Sequence, residues 1–66
     1  MEHSTELVLA YEIANALNDM KSIKWHITLT TKYPAHFLRE QLSAALTTPN
    51  IKNRAAYFNY LIKVYG

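Results

Sequence analysis

Sixty-six residues, a formal net charge of +2 and no cysteine describe one small domain, residues 1–66, without a disulfide framework, a thiolate metal site or a thiol nucleophile. A chain this short buries only about 60% of the surface that its unfolded form exposes, so its core contributes little net stability and a partner often adds to it. No stretch approaches the roughly 18 apolar residues of a membrane span, and MEHSTELVLAYEIANALNDM has no basic leader before its apolar stretch, which argues against a signal peptide and makes a cytoplasmic location the expectation.

Residues 4 to about 19 are predicted as a first helix, because Leu9, Ile13, Ala16, Leu17 and Met20 follow the spacing of one helical face. Glu12, Asn15 and Asp19 fall opposite, on the face expected to be solvated. Ser4 or Thr5 suits the N-cap, and Glu6 in the first turn suits the helix dipole. The stretch NDMKS supplies a stop, since Asn and Asp tolerate the left-handed or turn geometry that ends a helix.

The next stretch, SIKWHITLTTKYP at residues 22–34, fits two templates. Ile23, Trp25, Ile27, Leu29, Thr31 and Tyr33 alternate with polar residues, as in a half-buried strand, and their propensities favour a strand. On a helical wheel Ile23, Trp25, Ile27, Leu29 and Tyr33 also form one broad arc, which takes in His26 and Thr30. A strand needs a partner for its backbone groups, and no other segment offers a second alternating run. A helix over about 22–32 is therefore predicted; the alternative is a strand that pairs with its copy across a homodimer.

Pro34 pushes Tyr33 out of helical geometry and suits the first position of a new helix, predicted over residues 34–47. Phe37, Leu38, Leu42, Ala45 and Leu46 form its apolar face, with Arg39, Glu40 and Ser43 outward. TTPNIKN reads as loop, and Asn53 as the cap of a last helix, RAAYFNYLIKVY, closed by Gly66. Phe58, Leu61, Ile62 and Tyr65 make one face of that helix. Tyr57, Tyr60 and Val64 lie beside it, so the helix is either central to a bundle or exposes an apolar surface. The expected fold is an all-α, compact bundle of four short helices, with Leu9, Ile13, Leu17, Trp25, Leu29, Leu38, Leu42, Phe58, Leu61 and Ile62 in its core.

Little here points to bond-making chemistry. His3, His26 and His36 include no i, i+4 pair and read as one terminal, one core-border and one exposed histidine, so no metal or other cofactor is expected. Glu12 and Asp19 read as solvated rather than as an acid pair, and the only glycine, Gly66, excludes a glycine-rich phosphate loop. No serine motif supports a triad, so neither enzymatic activity nor a small-molecule substrate is expected.

Charge patterning is more informative. Residues 1–20 carry Glu2, Glu6, Glu12 and Asp19 and no Lys or Arg, a net −4, whereas residues 21–66 carry a net +6. In the basic portion cations alternate with rings, as in Lys24–Trp25, Lys32–Tyr33, Arg54–Tyr57 and Tyr60–Lys63. Phosphates attract Lys and Arg, and single-stranded bases stack on rings. Lys24, Lys32, Arg39, Arg54 and Lys63 are therefore the expected phosphate contacts of a nucleic-acid-binding module. The second and third helices, joined through KYP, would also suit a helix-turn-helix, although Arg39 beside Glu40 makes a poor reading head. The competing expectation is a homodimeric or partner-binding adaptor or inhibitor without nucleic-acid affinity, using Tyr57, Tyr60 and Val64 as its interface.

The stretches ALNDMKSIKWHITLTTKYPAHFLREQLSAAL and IKNRAAYFNYLIK add a resemblance over residues 16–63. Their order of LND turn, aromatic-containing helix, YP break, FLREQL helix and NRAAYFNYLI helix resembles the small C-terminal helical modules of plasmid and phage replication-initiator and DnaD-like proteins. The resemblance implies an accessory role in the DNA replication or maintenance of a mobile element. It brings over no catalytic residue, and the winged-helix domain that usually accompanies such segments is not in this chain.

Overall fold

The computed structural model describes the backbone of residues 2–66 and the side chains of residues 5–66. Among the described residues the protein is all-α: α1 (Glu2–Ala16), a 3-10 turn (Met20–Ser22), α2 (Ile23–Lys32), α3 (Ala35–Thr47) and α4 (Arg54–Tyr65), with no strand. Helix α1 packs along α2 and α3 along α4. The bundle measures 38 × 23 × 16 Å.

Helix α1 already includes residues 4 and 5, so the expected capping by Ser4 or Thr5 gives way to a helix that starts at Glu2. The side chains of His3 and Ser4 lie outside the described residues. The far end of α1 is a Schellman stop: Asn18 is left-handed at φ 53°, its N–H donates to Asn15 O (3.1 Å), and Asp19 N–H donates to Ala14 O (2.7 Å). This turn ends α1 at Ala16, earlier than the expected position near 19, and two expectations built on a longer helix change with it. Met20 lies in the following 3-10 turn and is exposed rather than on the apolar face. Asp19 is 7% exposed rather than solvated, because the reversal at Asn18 turns it toward α2.

The tryptophan segment coils, as the missing strand partner required. Its threonines, which favour strands, are accommodated because Thr28, Thr30 and Thr31 hydroxyls donate to the carbonyls of Lys24, Ile27 and Thr28 at 3.0, 2.6 and 2.7 Å. His26, Leu29 and Thr30 form its buried stripe. The expected burial of Trp25 is not observed: it is 44% exposed, while His26, expected at the core border, is wholly enclosed at 0%. Trp25 lies at the flank of the arc, where its indole N–H reaches Asn59, and His26 occupies the centre facing Phe58 at a ring-centroid distance of 6.0 Å.

Tyr33 is extended (φ −125°, ψ 148°), as a residue before proline must be, and its N–H still donates to Leu29 O at 3.0 Å. Pro34 is the N-cap of α3 rather than its first residue, with ψ 151°. On α3, Leu38, Leu42 and Ala45 are buried, Phe37 packs at their edge, and Leu46, expected on this face, is exposed. Asn53 caps α4 as the sequence predicts, its side-chain oxygen accepting from Ala56 N–H at 3.0 Å. Phe58, Leu61 and Ile62 are buried, but Tyr65 is 68% exposed, because the last turn of α4 runs past the core. At Gly66 a Cβ would lie 2.8 Å from Tyr33 Cε1 and 2.5 Å from Ile62 O, so the chain end can close against Tyr33 only without a side chain.

Candidate nucleic-acid interface

Helices α2 and α4 meet along a groove whose two walls follow helical spacing. Trp25, Leu29, Lys32 and Tyr33 come from α2 and its C-cap, at i, i+4, i+7 and i+8, and Asn59, Ile62 and Lys63 come from α4, at i, i+3 and i+4. Its volume is about 350 Å³, and no carboxylate lines it. Buried Leu29 and Ile62 form the floor. Trp25 meets Asn59 at one end, and Tyr33 meets Gly66 at the other, so the two helices run in the same direction.

At the first end Trp25 Nε1–H donates to Asn59 Oδ1 at 2.8 Å. An indole nitrogen only donates, so this bond fixes which half of the Asn59 amide faces Trp25. Asn59 Nδ2 then points its donors elsewhere, and it has no partner among the described side-chain hydrogen bonds. At the second end Tyr33 rests on Phe37, with ring centroids 5.3 Å apart, and Lys32 and Lys63 line the same groove from two helices.

The expected phosphate contacts divide into two groups. Lys32 and Lys63 line the groove, and Lys24 is exposed on α2 beside Trp25. Arg39 instead donates to Glu12 at 2.8 Å in an exposed pair that ties α3 to α1 and, being solvated, contributes at most about 1 kcal/mol. Arg54 Nη1 donates to Ala45 O (2.6 Å) and Thr48 O (3.0 Å), so its guanidinium caps the C-terminal end of α3. Of the expected protein-interface residues, Tyr60 and Val64 are exposed, and Tyr57 is half-buried, stacked on Tyr60 at 6.1 Å. A neighbouring cleft shares Lys32 and Tyr33 but includes Glu6 of acidic α1, which makes it a poorer seat for an anion.

Sequence reasoning did not foresee Asn59 or the pairing of Trp25 with it. The local signal was the four-residue spacing Trp25–Leu29–Tyr33 together with Asn59, Ile62 and Lys63 at i, i+3 and i+4, but only folding across 34 positions joins the two.

A second polar constellation lies in the core. His26 Nε2 is 3.0 Å from Asp19 Oδ2. A carboxylate only accepts, so the imidazole donates through Nε2–H. His26 Nδ1 is buried with no partner among the described residues, a position better suited to a lone pair than to an unpaired N–H. His36 is exposed, and among the described residues no group of three or more His, Asp or Glu is arranged to hold a metal ion. Among the described residues, no helix is long and apolar enough to cross a membrane.

The groove thus offers a stacking ring, an amide donor and two cations on an apolar floor, a set suited to holding a flat, anion-bearing ligand. Comparison with protein-family models, curated proteins and solved structures finds no match to this chain.

Proposed function

We propose that this chain is a non-enzymatic helical module that acts in the cytoplasm by binding nucleic acid, in an accessory role in the DNA replication or maintenance of a mobile element. The observation that carries the binding reading is the carboxylate-free groove in which Trp25 and Tyr33 stand beside Lys32 and Lys63. Rings supply stacking surface and ammonium groups neutralise phosphates, the two components of sequence-tolerant strand binding. The replication context rests on the resemblance of residues 16–63 to replication-initiator and DnaD-like modules.

Titration of labelled single- and double-stranded DNA at two salt concentrations tests the reading. Three lysines, Lys24, Lys32 and Lys63, engaging phosphates give a log–log salt slope of about −2 on single strands. Absence of binding at low salt removes the proposal.

The exposed surface of α4 favours a second reading. Tyr60 is 58% exposed and Val64 lies open one turn further on, a pattern suited to a homodimer or a partner protein rather than to a solvated helix. Sedimentation against concentration tests it, and a strict monomer that binds DNA excludes the homodimer as the working form.

A further inference from the structure

We infer that the groove reads an unpaired base, with a preference for keto over amino bases, through the amide nitrogen of Asn59. The inference rests on the nucleic-acid reading above and specifies its ligand: a single strand with a base stacked on Trp25.

Three observations carry it. Trp25 is the only tryptophan, and it lies half-open at the groove mouth instead of in the core. A ring so placed presents a face to a base, and a duplex, whose bases are already stacked on each other, has no face to offer in return. Trp25 and Tyr33 are eight positions apart, about 12 Å along the helix axis. That spacing is too long for the two rings to sandwich one base, so Trp25 is the stacking platform and Tyr33 closes the far end between the lysines. The volume of about 350 Å³ lies at the lower end for small-ligand pockets, which suits one base with its backbone outside along Lys32 and Lys63.

The preference follows from the Trp25–Asn59 bond. A free asparagine reads adenine with both halves of its amide, accepting from N6 and donating to N7. In this groove the oxygen already accepts from the indole N–H through one of its two lone pairs, whereas the Nδ2 hydrogens have no partner among the described side-chain hydrogen bonds, so the donors are the free half of Asn59. Thymine O4 and guanine O6 are acceptors at the position where cytosine N4 and adenine N6 are donors. A keto base presenting that edge therefore meets the unpartnered N–H groups of Asn59, whereas an amino base there has to share the oxygen with the indole N–H. Thymine and cytosine have similar rings but differ also at N3 and in the C5 methyl, so the assignment to this amide rests on the Asn59 variant below.

The test uses the fluorescence of Trp25. Octamers of dT and dC, an abasic octamer and a duplex are titrated at low salt into the full chain. Saturable quenching by dT, with an affinity about fivefold above dC, is expected from one neutral hydrogen bond. The abasic octamer is expected to bind, as read by anisotropy, without quenching. Asn59→Asp keeps an acceptor for Trp25 and removes the donors, so the dT-to-dC ratio falls to about one. Equal affinity of the unmodified chain for dT and dC overturns the base preference while nucleic-acid binding stands. Quenching by the duplex as strong as by dT overturns the single-strand assignment, and no binding of any oligonucleotide overturns the parent reading itself.

Discussion

Replacing Asp19 with alanine removes the partner of His26, and the structure sets the size of the effect. His26 is 0% exposed and its Nε2–H donates to Asp19 Oδ2 at 3.0 Å. The substitution leaves a buried donor without an acceptor, a loss of about 1–3 kcal/mol. Backbone effects are small, because Asp19 has a negative φ of −131° that alanine adopts readily, and its N–H bond to Ala14 O is retained. A chain of this length has a total stability of about 3–10 kcal/mol, so the loss is a large fraction of it. With a urea dependence of about 1 kcal/mol/M, the midpoint falls by about 2 M. Urea denaturation followed by far-ultraviolet circular dichroism and by Trp25 fluorescence measures this, and coincident curves establish two-state behaviour. Asp19→Asn keeps an oxygen acceptor and is expected to lose about half as much, since bonds to charged acceptors are roughly twice as strong as neutral ones. Combining Asp19→Ala with His26→Leu removes the stranded donor, so the double variant is expected to be less destabilised than the sum, with coupling of about 1–2 kcal/mol. A midpoint for Asp19→Ala within about 0.5 M of the unmodified chain refutes the reasoning, because His26 would then be satisfied without Asp19.

Two further outcomes separate the proposed binding cations from the structural one. Lys32→Glu combined with Lys63→Glu is expected to flatten the DNA salt slope from about −2 to about −0.7, leaving Lys24 alone, with helical content unchanged because both side chains are solvated. Collapse of helicity in that variant marks these lysines as structural. Arg54→Ala has the opposite profile: a stability loss of about 1–2 kcal/mol from the lost bonds to Ala45 O and Thr48 O, with the salt slope unchanged. A slope that becomes shallower without any change in urea midpoint returns Arg54 to the phosphate-binding set.

The helices were legible because each has a local cause. Asn18 and Pro34 punctuate, Asn53 caps, and the alternating stretch 22–33 had no mate that would make a strand affordable. The misplacements also have a cause. A helical wheel extended to residue 19 puts Asp19 with Glu12, whereas the left-handed turn at Asn18 ends the periodicity and sends the two carboxylates to different surroundings. Charge alone treats Arg39, Arg54 and Lys63 alike. Only the fold shows that Arg39 has Glu12 and Arg54 has the end of α3, while Lys63 keeps its ammonium for the groove. The Trp25–Asn59 pair crosses 34 positions and has no signature in either segment alone.

The position of Trp25 is the strongest physical argument that the groove has an occupant. In a chain with so little core, 44% exposure of the largest apolar side chain leaves on the order of 100 Å² in water, which forgoes about 2–3 kcal/mol of burial. Core positions on the same helix went to Leu29, to Thr30 and to a histidine that needs Asp19 to be buried at all. Asn59 adds a bond that an exposed indole does not require, since water would satisfy the same N–H. What the bond does provide is a fixed ring orientation at the groove mouth and an amide whose N–H groups are left without a partner. A ring held open, oriented and set beside two lysines regains its forgone burial when a flat ligand covers it. On the proposed reading, the burial that the free chain forgoes at Trp25 is therefore what a stacked base would return as affinity.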